Sequence, residues 1–379
     1  MRTISPTIMA VSNDVLQQLS FATSGGPVSP RLQHLTWTSE CGWEHSQQLL
    51  SPHLVSVVFW HCINDLHVDL GLNSVISSLP TARLEKLSLV GYPPHTIHSA
   101  LSEVVQRLNT CFKQIDVRSS LSDAAWGHLA SLPKLESLRV TDTPSIEVLK
   151  SIPHNPTFPT LKHMTLELNG QYQHLPELCS LLKSSPLQGV IVEKATKIQH
   201  IGVLAEVTLA MLKAELHPSV NTLIFTGFHP SDLTFVSHLG PFSSLTTLKC
   251  STQCQELRLC FFPLTDSDIE QLASGLPQLV TLCLGHRCMY SYPNTTIKSM
   301  ISLSTNCPSL SSIHLPCDLT NIFEDARMES GEPDPRLETR SSCALELLAF
   351  EWMIRPKDHG ASEFMKWALR HLFPQLRFT

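Results

Sequence analysis

The stretch LASLPKLESLRV at residues 129–140 decides the fold, and LASGLPQLVTLCL at residues 272–284 repeats it. Both stretches end in a six-residue pattern with apolar residues at the first, fourth and sixth positions, as in Leu135, Leu138 and Val140. This spacing places apolar side chains on one face of a short strand and leaves the residues between them on the other. Two similar segments far apart in one chain predict a structure made of repeated units.

The same pattern returns along nearly the whole chain, at intervals of 22 to 35 residues. The clear matches are Leu32/Leu35/Trp37, Leu54/Val57/Phe59, Leu84/Leu87/Leu89, Leu135/Leu138/Val140, Leu161/Met164/Leu166, Val220/Leu223/Phe225, Leu279/Leu282/Leu284 and Leu310/Ile313/Leu315. The weaker matches are Phe112/Ile115/Val117, Leu187/Val190/Val192, Leu245/Leu248/Cys250 and Leu345/Leu348/Phe350. Together they predict twelve strands, and neighbouring units would bury the apolar surface that one unit cannot bury alone.

Segments between the predicted strands carry helical periodicity. Ile97, Leu101, Val104 and Leu108 fall on one helical face, and Thr265 is a candidate helix cap because an acidic residue follows three positions later. Because strand and helix periods alternate, a parallel β-helix or a purely helical repeat fits less well. The predicted fold is therefore an α/β leucine-rich-repeat solenoid, with a curved parallel sheet on the concave side and helices on the convex side.

Composition changes along the chain predict four segments. Residues 1–30 form an N-terminal cap or remnant segment, and residues 31–317 carry the leucine-rich repeats. Residues 318–342 are polar, acidic and without periodicity, which predicts a flexible insertion. Residues 343–379 contain the last repeat and a helix that would cap it.

Composition also narrows the function. The 379-residue chain has a net charge of -6, and its 27 Lys and Arg residues form no basic stripe, so we expect no nucleic-acid partner. Its apolar runs are far shorter than the ~18 to 20 residues that span a bilayer, so we expect no membrane partner. Twelve cysteines are too few for a disulfide scaffold and favour a reducing compartment, cytoplasmic or nuclear. No cofactor motif is present, and none is expected.

Residues 245 to about 326 resemble the leucine-rich region of fungal F-box proteins. The resemblance rests on CFFPLTDSDIEQLASGLPQLVTLCLG at residues 260–285 and on the segment from Thr296 to the Cys-Pro-Ser-Leu ending at Leu310. It implies a substrate-recognition module of an SCF-type ubiquitin ligase. Family members carry a helical F-box before the repeats, which docks the ligase adaptor. The adaptor is therefore an expected partner only if an F-box exists upstream.

In a repeat of this type, the residues between the buried strand positions point to the concave face. The candidate partner-binding residues at such positions are Trp60, Lys86, Arg139, His163, Ile224, Lys249 and His314. Their mixture of apolar, aromatic and cationic groups is typical of a protein-binding surface. Trp60 has two readings, as an anchor for a partner or as a side chain packed beneath the neighbouring loop.

Cysteine and histidine residues give two further hypotheses. Cys283, His286 and Cys288 lie within six residues, with Cys250 and Cys254 earlier in the chain, and a structural zinc site needs four such ligands at compact spacings. Free cysteine within repeats behaves as a small apolar residue, so we expect no metal. The predicted function is a non-enzymatic protein-interaction module that recognises a substrate or partner protein. The alternatives are a ligase-independent scaffold and a cryptic Cys/His enzyme.

Overall fold

The computed structural model describes most of the repeat region and little of either end of the chain. The described residues are 3–4, 18, 27, 29–38, 46–60, 69–90, 97–141, 143–152, 157–168, 174–194, 202–252, 260–286, 290–318, 347–349, 353–354 and 369. Contacts divide the chain into two compact units, unit 1 at residues 1–187 and unit 2 at residues 188–379. Each unit has α/β architecture, and over the described residues neither sheet closes into a barrel.

The described residues of unit 1 form seven strands that pair in sequence order, each parallel to the next. They are β1 (Thr3–Ile4), β2 (His34–Thr38), β3 (Ser56–Trp60), β4 (Lys86–Val90), β5 (Gln114–Val117), β6 (Ser137–Thr141) and β7 (His163–Leu168). Parallel neighbours require a connection that crosses back over the sheet, and a helix usually supplies it. Strands β2 to β7 coincide with six of the predicted strands.

The inward side chains of unit 1 form rows that run from strand to strand. Leu87 lies in register between Val57 and Ile115, and the row continues through Leu138 to Met164. All five side chains are at most 1% exposed. Burying one such side chain stabilises the fold by about 1.5–3 kcal/mol. The leucine pattern is therefore the register of a shared core.

The same forked hydrogen bond precedes nine of the described strands. The backbone N–H groups of Lys113 and Gln114 both donate to the carbonyl oxygen of Glu85, at 2.8 and 2.9 Å. Equivalent forks end on the carbonyls of Gln33, Val55, Lys113 and Glu136 in unit 1 and of Gln188, Asn221, Thr246 and Val280 in unit 2. One carbonyl of each strand thus fixes the register of the strand that follows.

The helices of unit 1 include two that begin at a capping serine. The helices are α1 (Asp69–Ser77), α2 (His98–Gln106), α3 (Asp123–Ser131), α4 (Ile146–Ser151) and α5 (Leu175–Leu181), with 3-10 turns at Ser46–Leu49, Thr81–Arg83 and Leu182–Ser184. The Ser122 hydroxyl accepts a hydrogen bond from the N–H of Ala125 at 3.4 Å. Ser145 caps α4 in the same way. These contacts satisfy backbone donors that a helix start leaves without partners.

Unit 2 contains a main sheet and two short ribbons. Its strands are β8 (Gly189–Lys194), β9 (Thr222–Phe228), β10 (Thr247–Thr252), β11 (Cys260–Thr265), β12 (Thr281–His286), β13 (Tyr290–Asn294), β14 (Ser312–His314), β15 (Cys317–Asp318), β16 (Leu347–Ala349) and β17 (Met353–Ile354). The main sheet is parallel in the order β8-β9-β10-β12-β14-β16, and these are the remaining six predicted strands. The ribbons β11-β13 and β15-β17 were not predicted.

The helices of unit 2 are tied to one another by side chains at their first turns. They are α6 (Val203–Lys213), α7 (Asp266–Gly275) and α8 (Ile297–Asn306), with a 3-10 helix at Pro230–His238. Thr265 caps α7, as predicted: its hydroxyl accepts from the N–H of Asp268 at 3.4 Å, and its own N–H donates to the Asp268 carboxylate at 2.8 Å.

Asp266 connects α7 to the start of α8. Its carboxylate accepts hydrogen bonds from the N–H and hydroxyl of Thr296, at 2.7 and 2.8 Å. It also accepts from the N–H and hydroxyl of Ser299, at 3.1 and 2.5 Å. A carboxylate at a helix N-terminus is further stabilised by the helix dipole. The side chain of Asp266 therefore fixes the position of the next helix.

The predicted end segments fall largely outside the described residues. At the N-terminal end, β1 pairs with β2 through Thr3 with His34 and Ile4 with Leu35. Most of the predicted insertion at 318–342 and of the capping helix lies outside the described part of the chain. Leu369 is described as a buried helical residue. The predicted boundaries of these segments stay predictions.

Candidate partner-binding faces

The outward positions of β2 to β7 define a surface that we call the unit 1 face. Buried side chains alternate with more exposed ones along β3 and β5, which is the geometry of a sheet with one face against a core. At other outward positions, Ser88, Thr141 and Glu167 are themselves buried. The first row holds His34, Ser56, Lys86, Gln114, Ser137 and His163, and the central row holds Thr36, Val58, Ser88, Asp116, Arg139 and Thr165. The last row holds Thr38, Trp60, Val90, Thr141 and Glu167.

The unit 1 face carries four of the seven candidate residues, on different rows. Lys86 and His163 lie in the first row, Arg139 lies in the central row and Trp60 lies in the last row. Trp60 and Lys86 are on adjacent strands, but at opposite ends of them. The face therefore presents an aromatic group and cations at separate points of one surface.

Trp60 is the most exposed large apolar side chain of the unit 1 face. It is 47% exposed, whereas Trp37, on the opposite face of the neighbouring strand, is 6% exposed. Its register partners are Thr38 on β2 and Val90 on β4. About half of the indole surface is thus available for contact with a partner.

Two ion pairs lie side by side on β5, β6 and β7. The Arg139 Nε atom is 3.6 Å from the Asp116 carboxylate, and the Arg118 Nε atom is 3.9 Å from the Glu167 carboxylate. The Thr141 hydroxyl donates to the same carboxylate of Glu167 at 3.4 Å. We call these five residues the charged cluster.

Burial distinguishes the charged cluster from an ordinary exposed ion pair. Glu167 is 3% exposed, and a carboxylate removed from water this far requires a cation and hydrogen-bond donors around it. Arg118, Asp116 and Arg139 keep only about a quarter of their side-chain surface exposed. Most of the side-chain surface of the charged cluster is therefore removed from solvent.

Other ion pairs of unit 1 lie at the strand starts and are exposed. Lys113 contacts Glu85 at 2.7 Å, and Lys162 contacts Glu136 at 3.2 Å. The hydrogen bond to the Glu85 carboxylate raises the pKa of Lys113. Exposed pairs contribute little to stability. By contrast, none of the ion pairs among the described residues includes Lys86.

The other three candidate residues share one row of unit 2. Ile224 on β9, Lys249 on β10 and His314 on β14 are in register, with Cys283 of β12 between the last two. Lys249 is exposed and the others are half-buried. The preceding row carries the hydroxyl side chains of Thr222, Thr247, Thr281 and Ser312. We call these two rows the unit 2 face.

The described cysteines mostly behave as small apolar residues, as expected. Cys179, Cys250, Cys307 and Cys317 are buried, Cys283 is half-buried, and Cys111 is exposed. Burial raises the pKa of the Cys179 thiol to about 12 and raises that of Cys317 still further. Cys111 lies in the turn before β5.

The structure describes only some of the residues on which the zinc and Cys/His enzyme hypotheses depend. Across the part of the chain that the structure describes, no three His, Cys, Asp or Glu side chains form a group able to hold a metal ion. Cys254 and Cys288 lie outside the described residues, and the side chain of His286 is not described. A convergence of Cys283 with His286 and Cys288 therefore stays a prediction.

The sequence did not single out three members of the charged cluster, namely Asp116, Arg118 and Glu167. Asp116 lies between Ile115 and Val117 in one of the weaker pattern matches, so alternation does place it outward. The alternation does not predict that Asp116 forms an ion pair with Arg139, because these two residues become neighbours only through the register of two strands.

A scan of protein-family models finds no match to the chain, and a search of curated proteins finds none either. Among the described helices, none combines the length and the apolar character that crossing a bilayer requires. The functional interpretation therefore rests on the faces themselves.

Proposed function

We propose that the chain is a leucine-rich-repeat solenoid that recognises a protein partner on the outward face of its parallel sheet. The observation that carries this proposal is the unit 1 face, where Trp60 is half-exposed on β3 and the charged cluster lies beyond β4 on the same face. Partly exposed aromatic and arginine side chains are the groups that most often dominate protein–protein binding energy.

The repeat interpretation is supported by the regularity of the strands. In each unit the strands of the main sheet pair in sequence order, with the apolar residues of the pattern in register and buried. Helices or 3-10 turns lie between most of them. A stacked array of this kind offers a broad surface that is already ordered, so docking loses little conformational entropy.

A protein partner suits the charges of the unit 1 face better than a nucleic acid does. The charged cluster contains two arginines and two carboxylates, so its charges balance. Phosphate backbones favour clustered cations that are not neutralised by neighbours. A protein segment that offers both an apolar side chain and a polar or acidic group matches Trp60 together with Lys86.

The resemblance to fungal F-box proteins narrows the partner class. On that resemblance, the partner is a substrate for ubiquitylation in the cytoplasm or nucleus, and the chain itself is not an enzyme because transfer chemistry is supplied by other subunits. The ligase adaptor is a proposed partner only if an F-box exists upstream of the repeats.

The test is affinity capture with tagged full-length chain and matched variants. Trp60→Ala and Arg139→Ala should each weaken retention of the partner at least about tenfold, as quantified by mass spectrometry of the captured proteins. Leu209→Ala is the control, because Leu209 is the other exposed large apolar residue and lies on helix α6. Circular dichroism melting confirms that each variant is folded.

The outcomes separate the candidate functions. If all three variants retain the captured partners as well as the wild-type chain does, binding at the unit 1 face is contradicted. If a partner is lost from Trp60→Ala and the adaptor and cullin co-purify with the wild-type chain, the ligase role is supported. If the same partner is lost and neither ligase subunit is captured, the chain is a ligase-independent scaffold.

A further inference from the structure

The unit 1 face has an apolar part and a charged part. Trp60 of β3 lies in register beside Val90 of β4, and Val58 lies on the same side of β3 because it precedes Trp60 by two residues. Trp60 is 47% exposed, and both valines are half-buried. The charged cluster lies beyond β4 on the same face. A partner that covers both parts needs an apolar group and a polar group at a set distance from each other.

The exposure of the charged cluster determines which charge a partner meets. In one ion pair, the Glu167 side chain is 4% exposed and the Arg118 side chain is 28% exposed. In the other, Arg139 is 24% exposed and Asp116 is 28% exposed. The cluster is balanced as a whole, but a partner reaches two guanidinium groups and one carboxylate. The accessible part of the cluster therefore attracts an anionic group more strongly than a cationic one.

Arg139 is the better placed of the two arginines for this contact. It lies in the central row of the face, whereas Arg118 follows the end of β5. The contact of Arg139 with Asp116 is made by the Nε atom, at 3.6 Å. A guanidinium has five N–H donors in a planar fork, so an arginine that contacts one carboxylate can also bind a second. Such hydrogen bonds are charge-assisted and roughly twice as strong as neutral ones.

The register gives the distance between the two contact points. Trp60 and Arg139 are separated by β4 and β5, which makes three steps between strands of about 4.8 Å each. Arg139 lies one outward row before Trp60 along the strand direction, which adds about 6.6 Å at right angles. The two positions are therefore about 16 Å apart. An extended peptide spans this distance with about five residues.

We propose that the partner binds the unit 1 face through an extended acidic segment, with an apolar side chain on Trp60 and a carboxylate on Arg139, about five residues apart. This inference rests on the proposed function and adds the chemical class of the segment that is recognised. The apolar side chain packs on the indole and on Val90. The carboxylate accepts hydrogen bonds from the guanidinium, and the segment crosses β4 and β5 between these two points.

The probe is an array of short synthetic peptide pools. In each pool one Phe and one Glu are fixed at a chosen separation, in both orders, and the other positions are randomised among neutral residues. Matched pools carry Gln in place of Glu, Ser in place of Phe, or both changes. Labelled full-length chain should bind best at a separation of about four to six residues. At that separation the Glu pool should retain about threefold to tenfold more chain than the Gln pool.

Variants of the chain connect each peptide group to its own contact. In Arg139→Gln, the preference for Glu over Gln should disappear while the preference for Phe over Ser remains, and Trp60→Ala should give the reverse. Lys150→Gln is the matched control, because Lys150 is exposed on helix α4 and the substitution removes the same charge. It should change neither preference. Circular dichroism melting confirms that each variant is folded.

The proposal is overturned if the Glu and Gln pools bind equally, if the separation has no effect, or if no pool binds above the doubly changed pools. It is also overturned if Lys150→Gln lowers the preference for Glu as much as Arg139→Gln does. If affinity capture depends on Trp60 and Arg139 but the preference for Glu is absent, this inference fails while the proposed function stands. If capture depends on neither residue, the proposed function itself fails.

Discussion

Helices α3 and α7 precede the two most similar stretches of the chain, yet the structure anchors them differently. At α3, the N–H of Ser122 donates a single hydrogen bond to the hydroxyl of Ser102 on the preceding helix. At α7, the carboxylate of Asp266 accepts four hydrogen bonds from the first turn of the following helix. Similar sequences thus produce the same strand but different helix-to-helix links.

The C-terminal ends of the two helices differ as well. Unit 2 has an additional Gly275 where the unit 1 stretch has none, and a Cβ atom built on it would lie 2.9 Å from the Cα of Gly240. Within α3, by contrast, a Cβ on Gly127 would meet nothing within 4 Å. The repeat pattern therefore predicts what the strands do, while the contacts between helices are particular to each repeat.

The largest expected effect tests the buried strand leucine that residues 129–140 and residues 272–284 have in common. Leu138→Asp and Leu282→Asp each place an unpaired charge at a position that is 0% exposed, and each should destabilise its unit by more than about 4 kcal/mol. The measurement is circular dichroism melting, in which the cooperative transition of the affected unit should be lost. An unchanged melting temperature for either variant would show that the strand register is wrong.

An intermediate effect tests the different links between the helices. Asp266→Ala removes the acceptor of four hydrogen bonds and should lower the free energy of unfolding by about 2–3 kcal/mol. Asp123, one residue after the cap of α3, is exposed, and Asp123→Ala should change stability by less than about 1 kcal/mol. Urea unfolding measures both. Equal effects of the two substitutions would refute the role given to Asp266.

The smallest effects concern the glycines. Gly275→Ala forces a methyl group against the backbone of Gly240 and should destabilise unit 2 by about 1–3 kcal/mol. Gly127→Ala, in the interior of α3 with open space around it, should stabilise unit 1 by about 0.5–1 kcal/mol, because alanine favours the helix. Urea unfolding curves of the two variants should therefore shift in opposite directions, and a shift in the same direction would contradict the close approach at Gly275.

The strands could be predicted because their cause is local in sequence. Leu135, Leu138 and Val140 are apolar at fixed spacing, and that spacing is the consequence of burying one face of a strand. The cap at Thr265 was predictable for the same reason, since its partner Asp268 is three residues away. Both features depend on residues that are neighbours along the chain.

The ribbons and the charged cluster could not be predicted because their causes are distant in sequence. Strand β11 depends on pairing with β13, and its residues Cys260 to Thr265 carry no alternating pattern of their own. Arg118 and Glu167 are 49 residues apart in the sequence and form their ion pair only after three strands are aligned.

The forked hydrogen bonds at the strand starts have a consequence for how such a chain can change over generations. Since each fork joins a carbonyl to the two amides of the next strand, a partial insertion at that point would leave donors or acceptors unsatisfied. A duplicated segment that brings a complete fork of its own restores the pattern. Insertion or deletion of whole repeat units is therefore tolerated better than insertion of part of a unit. The sequence similarity between residues 129–140 and residues 272–284 is what the duplication of a whole unit would produce.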